Sequence, residues 1–261
     1  MDYSHLEIRR DGAVAEIVLN RSAKHNALSR ALMTELIHCA ESLRDDVDTR
    51  VVIITGAGKH FSAGADLSEP RDASGGRLLR RRQIRIGPRL IRAVREIDQV
   101  TIAAIEGVAL GGGCCIASAC DFRIAAEDAR LGYPEVNLGM NLHWQALPLC
   151  VQLVGPARAK RMIGLGGQHA AVELERWGFL DELTASGEAL TRARAFAAEC
   201  AARPPMPLQM IKQSVNAVAD ALTPAIMHMD HDQWALTADS DDFAEGIRAF
   251  RDKRPPRFTG N

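Results

Sequence analysis

Two glycine turns are the first places in this 261-residue chain where residue type and spacing could do chemistry. One is Phe61-Ser62-Ala63-Gly64-Ala65-Asp66-Leu67; the other is Glu106-Gly107-Val108-Ala109-Leu110-Gly111-Gly112-Gly113-Cys114. Each comes after a short apolar run that reads as a buried strand, Val51–Thr55 and Thr101–Ile105. Small residues at such turns let backbone N–H groups approach a ligand closely. The second turn opens a short apolar helix, Cys114–Ala119, whose first amides and dipole favour negative charge. Two such turns could aim one N–H each at a single developing oxyanion. Removing one donor of that kind typically costs about 3 kcal/mol of transition-state stabilisation. Tight strand–helix packing would use the same glycines, so the residues alone leave both readings open.

Other constellations carry less. His228 and His231, flanked by Asp230 and Asp232, could form an i, i+3 metal pair, or simply a solvated acidic helix face or an interface. Gly58-Lys59 lacks the first glycine and the Ser/Thr of a phosphate loop, with Ile53 and His60 in those places. Gly111-Gly112-Gly113 has Ile116 where a dinucleotide fingerprint needs its last glycine, and no GxSxG elbow occurs. The six cysteines include no CxxC pair and none at zinc-finger spacing to a histidine. No metal is therefore expected, and the cysteines read as reduced thiols of a cytoplasmic protein.

The elements that must position these turns follow an α/β pattern. His5–Arg9 and Ala13–Leu19 flank Asp11-Gly12 as a hairpin. Ser29 is an N-cap for a helix to about Leu43, and Phe122–Ala125 is a further strand. Arg77–Ile97 reads as one arginine-covered helix. From about Pro156 helical patterns succeed one another: Ala157–Ile163, Glu188–Ala202, Pro207–Ala219, Thr223–Thr237 and Asp239–Phe250. Arg203-Pro204-Pro205 marks a boundary between an α/β core, residues 1–202, and a helical C-terminal segment, residues 203–261.

Charge sets further bounds. The chain has 32 Lys+Arg against 33 Asp+Glu, a formal net charge of −1, which excludes a chain-wide basic field for nucleic acid. The charge is nevertheless segregated: Arg71–Arg95 and Arg248–Arg257 are basic, and Asp220–Glu245 is acidic without a Lys or Arg. The basic stretches could attract phosphates or merely cover solvated helices, and the acidic one could meet a basic neighbour in an oligomer. No run of about 18 apolar residues exists, so no membrane span is expected.

Taken in order, several stretches resemble the crotonase (enoyl-CoA hydratase/isomerase) superfamily over nearly the whole length. They are Asn26-Ala27-Leu28-Ser29, FSAGADL, IEGVALGGGCCIASACDFRIA, Leu131-Gly132-Tyr133-Pro134-Glu135-Val136-Asn137-Leu138-Gly139 and the tail EGIRAFRDKRPPRF. The resemblance implies a spiral of ββα units with a C-terminal trimerisation segment, and trimers or dimers of trimers. It also implies acyl-CoA thioester chemistry with no cofactor beyond the coenzyme A of the substrate. Ala65 and Gly112 match the two amides that hold the thioester oxygen, and Glu135 matches the glutamate acid/base. Lys24, Ala63, Asp66, Leu67, Trp234 and Lys253 match positions that lie along the CoA, the last two often across a subunit boundary.

Two departures bear on the reaction. Cys115 stands where hydratases of the fatty-acid pathway carry a second glutamate, and a thiol is a poor clamp for water. Asn141-Leu142-His143-Trp144 replaces a Pro-Gly-rich loop, and His143 falls where dienoyl-CoA isomerase-like members place a further acid. His143 could move a proton or only orient the helix that starts at Trp144. The implied activity is hydration or isomerisation through a thioester enolate. Single-base Δ3,Δ2-enoyl-CoA or dienoyl-CoA isomerases and C–C hydrolases or decarboxylases are alternatives, and a non-catalytic RNA- or protein-binding member is the remaining rival.

Overall fold

The computed structural model describes residues 3–69 and 76–261. Strands β1 (Leu6–Asp11) and β2 (Val14–Leu19) form the expected hairpin, closing at Asp11 opposite Val14 around Gly12 with φ +55°. Beyond it β3 (Val51–Gly56), β4 (Val100–Ile105), β6 (Phe122–Ala126) and β9 (Glu182–Thr184) add in parallel, giving a sheet ordered β1-β2-β3-β4-β6-β9. Parallel strands covered on both faces read as near-continuous apolar runs, and β3 and β4 do so with a single threonine each; every residue of β4 is buried. A second sheet consists of β5 (Val108–Leu110), β7 (Arg130–Gly132) and β8 (Gln168–Ala170), short segments with no sequence pattern of their own.

Helix α1 (Arg30–Ser42) starts as expected, with the Ser29 hydroxyl accepting the Leu32 N–H at 3.2 Å. It buries Leu32, Leu36, Ile37 and Ala40 against α3 (Ile86–Arg95). The single helix expected over Arg77–Ile97 is two, α2 (Arg77–Ile84) and α3. Pro88 has no N–H to return to the Ile84 carbonyl, so the first helix ends and Arg85 starts the next. Helix α4 (Gly112–Ala119) is wholly buried beneath the second glycine turn. Next come α5 (Ala146–Gly164), bent at Gly155 with φ +76°, then α6 (Ala171–Trp177) and α7 (Ala189–Ala201).

The C-terminal helices are α8 (Pro205–Ala219), α9 (Thr223–Met227), α10 (Asp230–Ala238) and α11 (Asp241–Arg251). The helix expected over Thr223–Thr237 therefore breaks at His228-Met229. Helix α8 docks through Lys212, a buried ammonium 2.7 Å from Asp121 that also donates to the Gln99 carbonyl at 2.7 Å. The acidic stretch meets basic residues of its own chain. Asp232 takes a two-pronged bond from Arg81 at 2.8 and 3.0 Å, Asp220 pairs with Arg95, and Glu245 with Arg254. Arg71 of the basic stretch lies outside the described residues.

Candidate active site

The two glycine turns lie against each other. Ser62 N–H donates to the Val108 carbonyl at 3.0 Å, and Leu110 N–H donates back to Ser62 at 3.0 Å. Gly64 has φ +90°, and a Cβ there would stand 2.6 Å from the Leu110 oxygen and 3.3 Å from the Gly112 nitrogen. Only glycine fits so close an approach. The next residue, Ala65, is exposed and pairs with Leu28 as an isolated bridge. The bonds of that bridge use the Gly64 carbonyl and the Asp66 N–H, so the Ala65 N–H has no backbone acceptor among the described residues. Gly112 opens α4, where the first amides have no acceptor within the helix. Two adjoining donors therefore remain beside one another.

Glu135 lies in a 3-10 turn, Pro134–Leu138, that begins with proline. Its Oε1 is 2.9 Å from where a Cβ on Gly111 would be, which places the carboxyl against the residue preceding Gly112. Its Oε2 is buried without a hydrogen-bond partner. Burial pushes the carboxyl up to about 7, relieved only slightly by its own backbone N–H. A carboxyl at that value both accepts and releases a proton near neutral pH. Cys115 is buried one helical turn into α4, and its thiol is held well above its ordinary value by burial, then by the Glu135 charge. It is a neutral thiol, neither anion nor clamp. Behind it Tyr133, also buried, shares a 2.5 Å hydroxyl bond with Ser118.

His143 sits elsewhere. It is buried, stacks on Trp234 with ring centroids 5.6 Å apart, and places Nε2 3.4 Å from Asp230 Oδ2. Burial, then the charge of His231, pulls it down to about 3, so the ring is neutral at pH 7. Asp230, read from sequence as part of an acidic helix face, is 2 % exposed and pushed by burial up to about 6. Its carboxylate accepts the backbone N–H groups of Trp144 and Gln145. No cluster of His, Cys, Asp and Glu able to hold a metal occurs among the described residues, so the His228/His231 pair does not assemble one.

The candidate CoA-side residues fall into two groups. Lys24, Ala63, Asp66 and Leu67 line the first turn. Lys24 Nζ lies 3.1 Å from Ser68 Oγ and 3.6 Å from Asp66. Burial alone would raise Asp66, but bonds from Ser68 and Arg21, with Lys24 nearby, hold it at about 2. Arg21, which also donates to the Ala27 carbonyl, escaped the sequence reading: nothing in its surroundings marks it except the Asn26-Ala27-Leu28 stretch that it braces. Trp234 is on α10 and donates to Met140 Sδ at 3.3 Å. Lys253 is an exposed residue past α11, with φ +54°, and its side chain forms no hydrogen bond or ion pair among the described residues.

The sequence predicts Trp144 only as the start of a helix; α5 instead begins at Ala146, and Trp144 lies in the turn before it with φ +69°. A Cβ on Gly87 of α3, or on Gly112, would overlap its indole, and one on Gly112 would also come within 2.9 Å of Leu28 Cδ1. The available signal was Gly87, a glycine within an apolar helical pattern, which often marks a close approach.

Comparisons with known proteins show the family and the fold. The model of the enoyl-CoA hydratase/isomerase family matches residues 9–261. A probable enoyl-CoA hydratase of Mycobacterium tuberculosis is 35% identical over 99% of both chains. The 2,3-dehydroadipyl-CoA hydratase of Escherichia coli is 32% identical over 98% of this chain and 99% of its own. Among solved structures, an enoyl-CoA hydratase from Mycobacterium avium subsp. paratuberculosis superposes with a TM-score of 0.89 at 26% identity, covering 99% of this chain and 100% of its own.

Proposed function

The chain belongs to the enoyl-CoA hydratase/isomerase family, with its crotonase fold, and from that premise we propose that it transforms an enoyl-CoA through a thioester enolate. The Ala65 and Gly112 amides hold the thioester oxygen, and Glu135 moves the proton. One observation carries this reading: the buried Glu135 carboxyl, its Oε2 without a partner and its pKa pushed up to about 7, faces the turn that leads into the Gly112 amide. Negative charge grows on the thioester oxygen as a C2 proton leaves, and two preorganised donors stabilise the enolate more than the ground state.

Cys115 favours single-base chemistry. Ionised Glu135 takes a proton from C2 of a 3-enoyl thioester, the electron pair moves onto the thioester oxygen, and the same carboxyl returns the proton at C4 to give the 2-enoyl isomer. Hydration needs a water that is held, deprotonated and delivered to C3. With a neutral thiol in place of the second carboxylate, that step is slow. The step draws on protein groups alone, and coenzyme A enters as part of the substrate. His143 is a positioning residue: a ring held at about 3 and stacked on Trp234 is a weak base at neutral pH.

Self-association as a trimer or dimer of trimers accords with the exposed apolar residues of α8, Met206, Met210, Ile211, Val215 and Val218. A cytoplasmic location accords with six free cysteines, and no described helix is long and apolar enough to cross a membrane.

The test offers 2-enoyl and 3-enoyl thioesters to wild type and Glu135→Gln, with mass spectrometry for water addition and chromatography for isomers. Turnover by wild type, with loss of turnover but retention of ester binding in the variant, is expected. Equal turnover by the two proteins would overturn the mechanism. RNA binding in the absence of any CoA-ester binding would favour the non-catalytic rival.

A further inference from the structure

One feature beside the candidate site is not used by the two-amide, one-carboxyl scheme. The Trp144 indole fills the gap between α3 at Gly87 and the first residue of α4 at Gly112, where a Cβ on either glycine would overlap it. Leu28, from the segment bridged to Ala65, closes on the same Gly112. Leu142, His143 and Ala146 around Trp144 are buried, whereas Trp144 is only partly so. Glu135 and Trp144 thus stand over consecutive glycines, Gly111 and Gly112. An acyl chain that runs from Glu135 towards Gly112 meets the indole.

The ring is held there by its backbone. Trp144 has φ +69° and Gln145 φ +60°, conformations costly for residues with a side chain, and strongly so for a bulky one. Helix α10 secures them. Asp230 accepts both backbone N–H groups, at 3.1 Å from Gln145. Asn141 N–H donates to Thr237 Oγ1 at 3.1 Å, and the Asn141 amide reaches Gln233 at 3.3 Å. His143 stacks on Trp234 behind the loop. A tryptophan that merely filled a core gap would not need a left-handed pair of residues fastened at several points to one helix.

We propose that Trp144 is the end wall of the acyl pocket, locked by Asp230 and α10, and that it restricts the enzyme to short acyl chains. This inference rests on the placement of the thioester oxygen at Ala65 and Gly112. A pocket wall of this kind discriminates by about ten- to two-hundred-fold for each methylene that does not fit. Asp230 acts through the Trp144-Gln145 turn as a positioning residue.

The experiment measures kcat/KM on straight-chain enoyl-CoA esters of four to twelve carbons, with calorimetric binding of the saturated esters alongside. The proteins are wild type, Trp144→Ala, Trp144→Phe and Asp230→Ala. Wild type should prefer the four-carbon over the ten-carbon ester at least tenfold. Trp144→Ala should shrink or reverse that ratio by at least tenfold, chiefly through gain on long esters. Trp144→Phe should fall between, and it keeps the test alive if the alanine variant folds poorly. Asp230→Ala should move the ratio the same way, whereas a merely structural defect would lower all lengths alike. A wild type that takes long esters as readily as short ones, or variants with an unchanged length profile, would overturn the wall. Absence of turnover on every ester, with length-selective binding that Trp144→Ala relaxes, would sink the proposed chemistry and leave the wall standing.

Discussion

The burial of Glu135 has a thermodynamic signature that can be measured without any substrate. Its carboxyl lies at about 7 in the folded chain against 4.5 when free, because burial disfavours the ionised form. Below pH 4 both states carry a protonated Glu135 and the residue contributes no pH dependence. Between pH 4.5 and 7 the unfolded chain ionises while the folded chain does not, so the folded state loses about 1.4 kcal/mol per pH unit. Above pH 7 the full penalty stands at about 3 kcal/mol, an upper value since part of the residue remains exposed. Glu135→Gln removes the titration and keeps the shape. The variant should match wild type in thermal melts at pH 4 and be more stable by up to about 3 kcal/mol at pH 8.5, several degrees in Tm for a chain of this size. It should also lose about 10²–10⁴-fold in turnover. A stability difference between variant and wild type that does not change from pH 4 to pH 8.5 would refute the desolvated carboxyl. With it would go the reason for treating Glu135 as a proton carrier poised at neutral pH.

Other expectations follow from the same geometry. Wild-type hydration of crotonyl-CoA should be slow and Cys115→Glu should raise it, as measured by loss of enoyl thioester absorbance; fast wild-type hydration would contradict the neutral-thiol reading of Cys115. Gly64→Ala forces a Cβ to 2.6 Å from the Leu110 carbonyl at φ +90° and should displace the Gly112 amide, lowering kcat about 10²–10³-fold while the folded state persists in circular dichroism. Asp66, held at about 2 by Ser68, Arg21 and Lys24, lends stability above its free value of 3.8 that disappears as pH falls towards 2. Asp66→Asn should accordingly cost about 1–2 kcal/mol in urea melts at pH 7 and almost nothing at pH 2.

Local signals were legible in the sequence because they act locally. The hairpin around Gly12, the Ser29 cap and the β-branched strands need only neighbouring residues to specify them. Breaks inside helical patterns were harder to see. Pro88 ends α2 four residues upstream of itself, and the apolar rhythm runs across the interruption unchanged. Among the candidate residues, the glycine turns could be picked out by type and spacing, whereas Glu135 could be named only through the family resemblance of the stretch around it. Arg21, Trp144 and Asp230 could be found by neither route, since each gains its role from a partner distant in sequence: Arg21 from Asp66, Trp144 from Gly87 and Gly112, Asp230 from the turn at Trp144-Gln145. The acidic C-terminal stretch shows how composition misleads. Asp220 and Asp232 face the arginines of α3 and α2, while Asp230 between them turns inward and is nearly inaccessible.

The thiol at position 115 and the value of Glu135 belong together. Two carboxyls sharing a buried site titrate as a pair, and one of them is driven upward by the other. Glu135 already stands near 7 through burial alone. Glu135 is close enough to raise the Cys115 thiol through its charge, so a carboxyl in place of that thiol would push one member of the pair higher still, leaving it protonated at neutral pH. In a hydratase a protonated acid beside an ionised base is useful, because water must be split between two carbons. In a site that only lifts a proton and sets it down again, a second acid adds cost without a task. The buried cysteine keeps the packing of α4 intact, leaves one titrating group beside the two amides, and fits a reaction that moves one proton along the acyl chain.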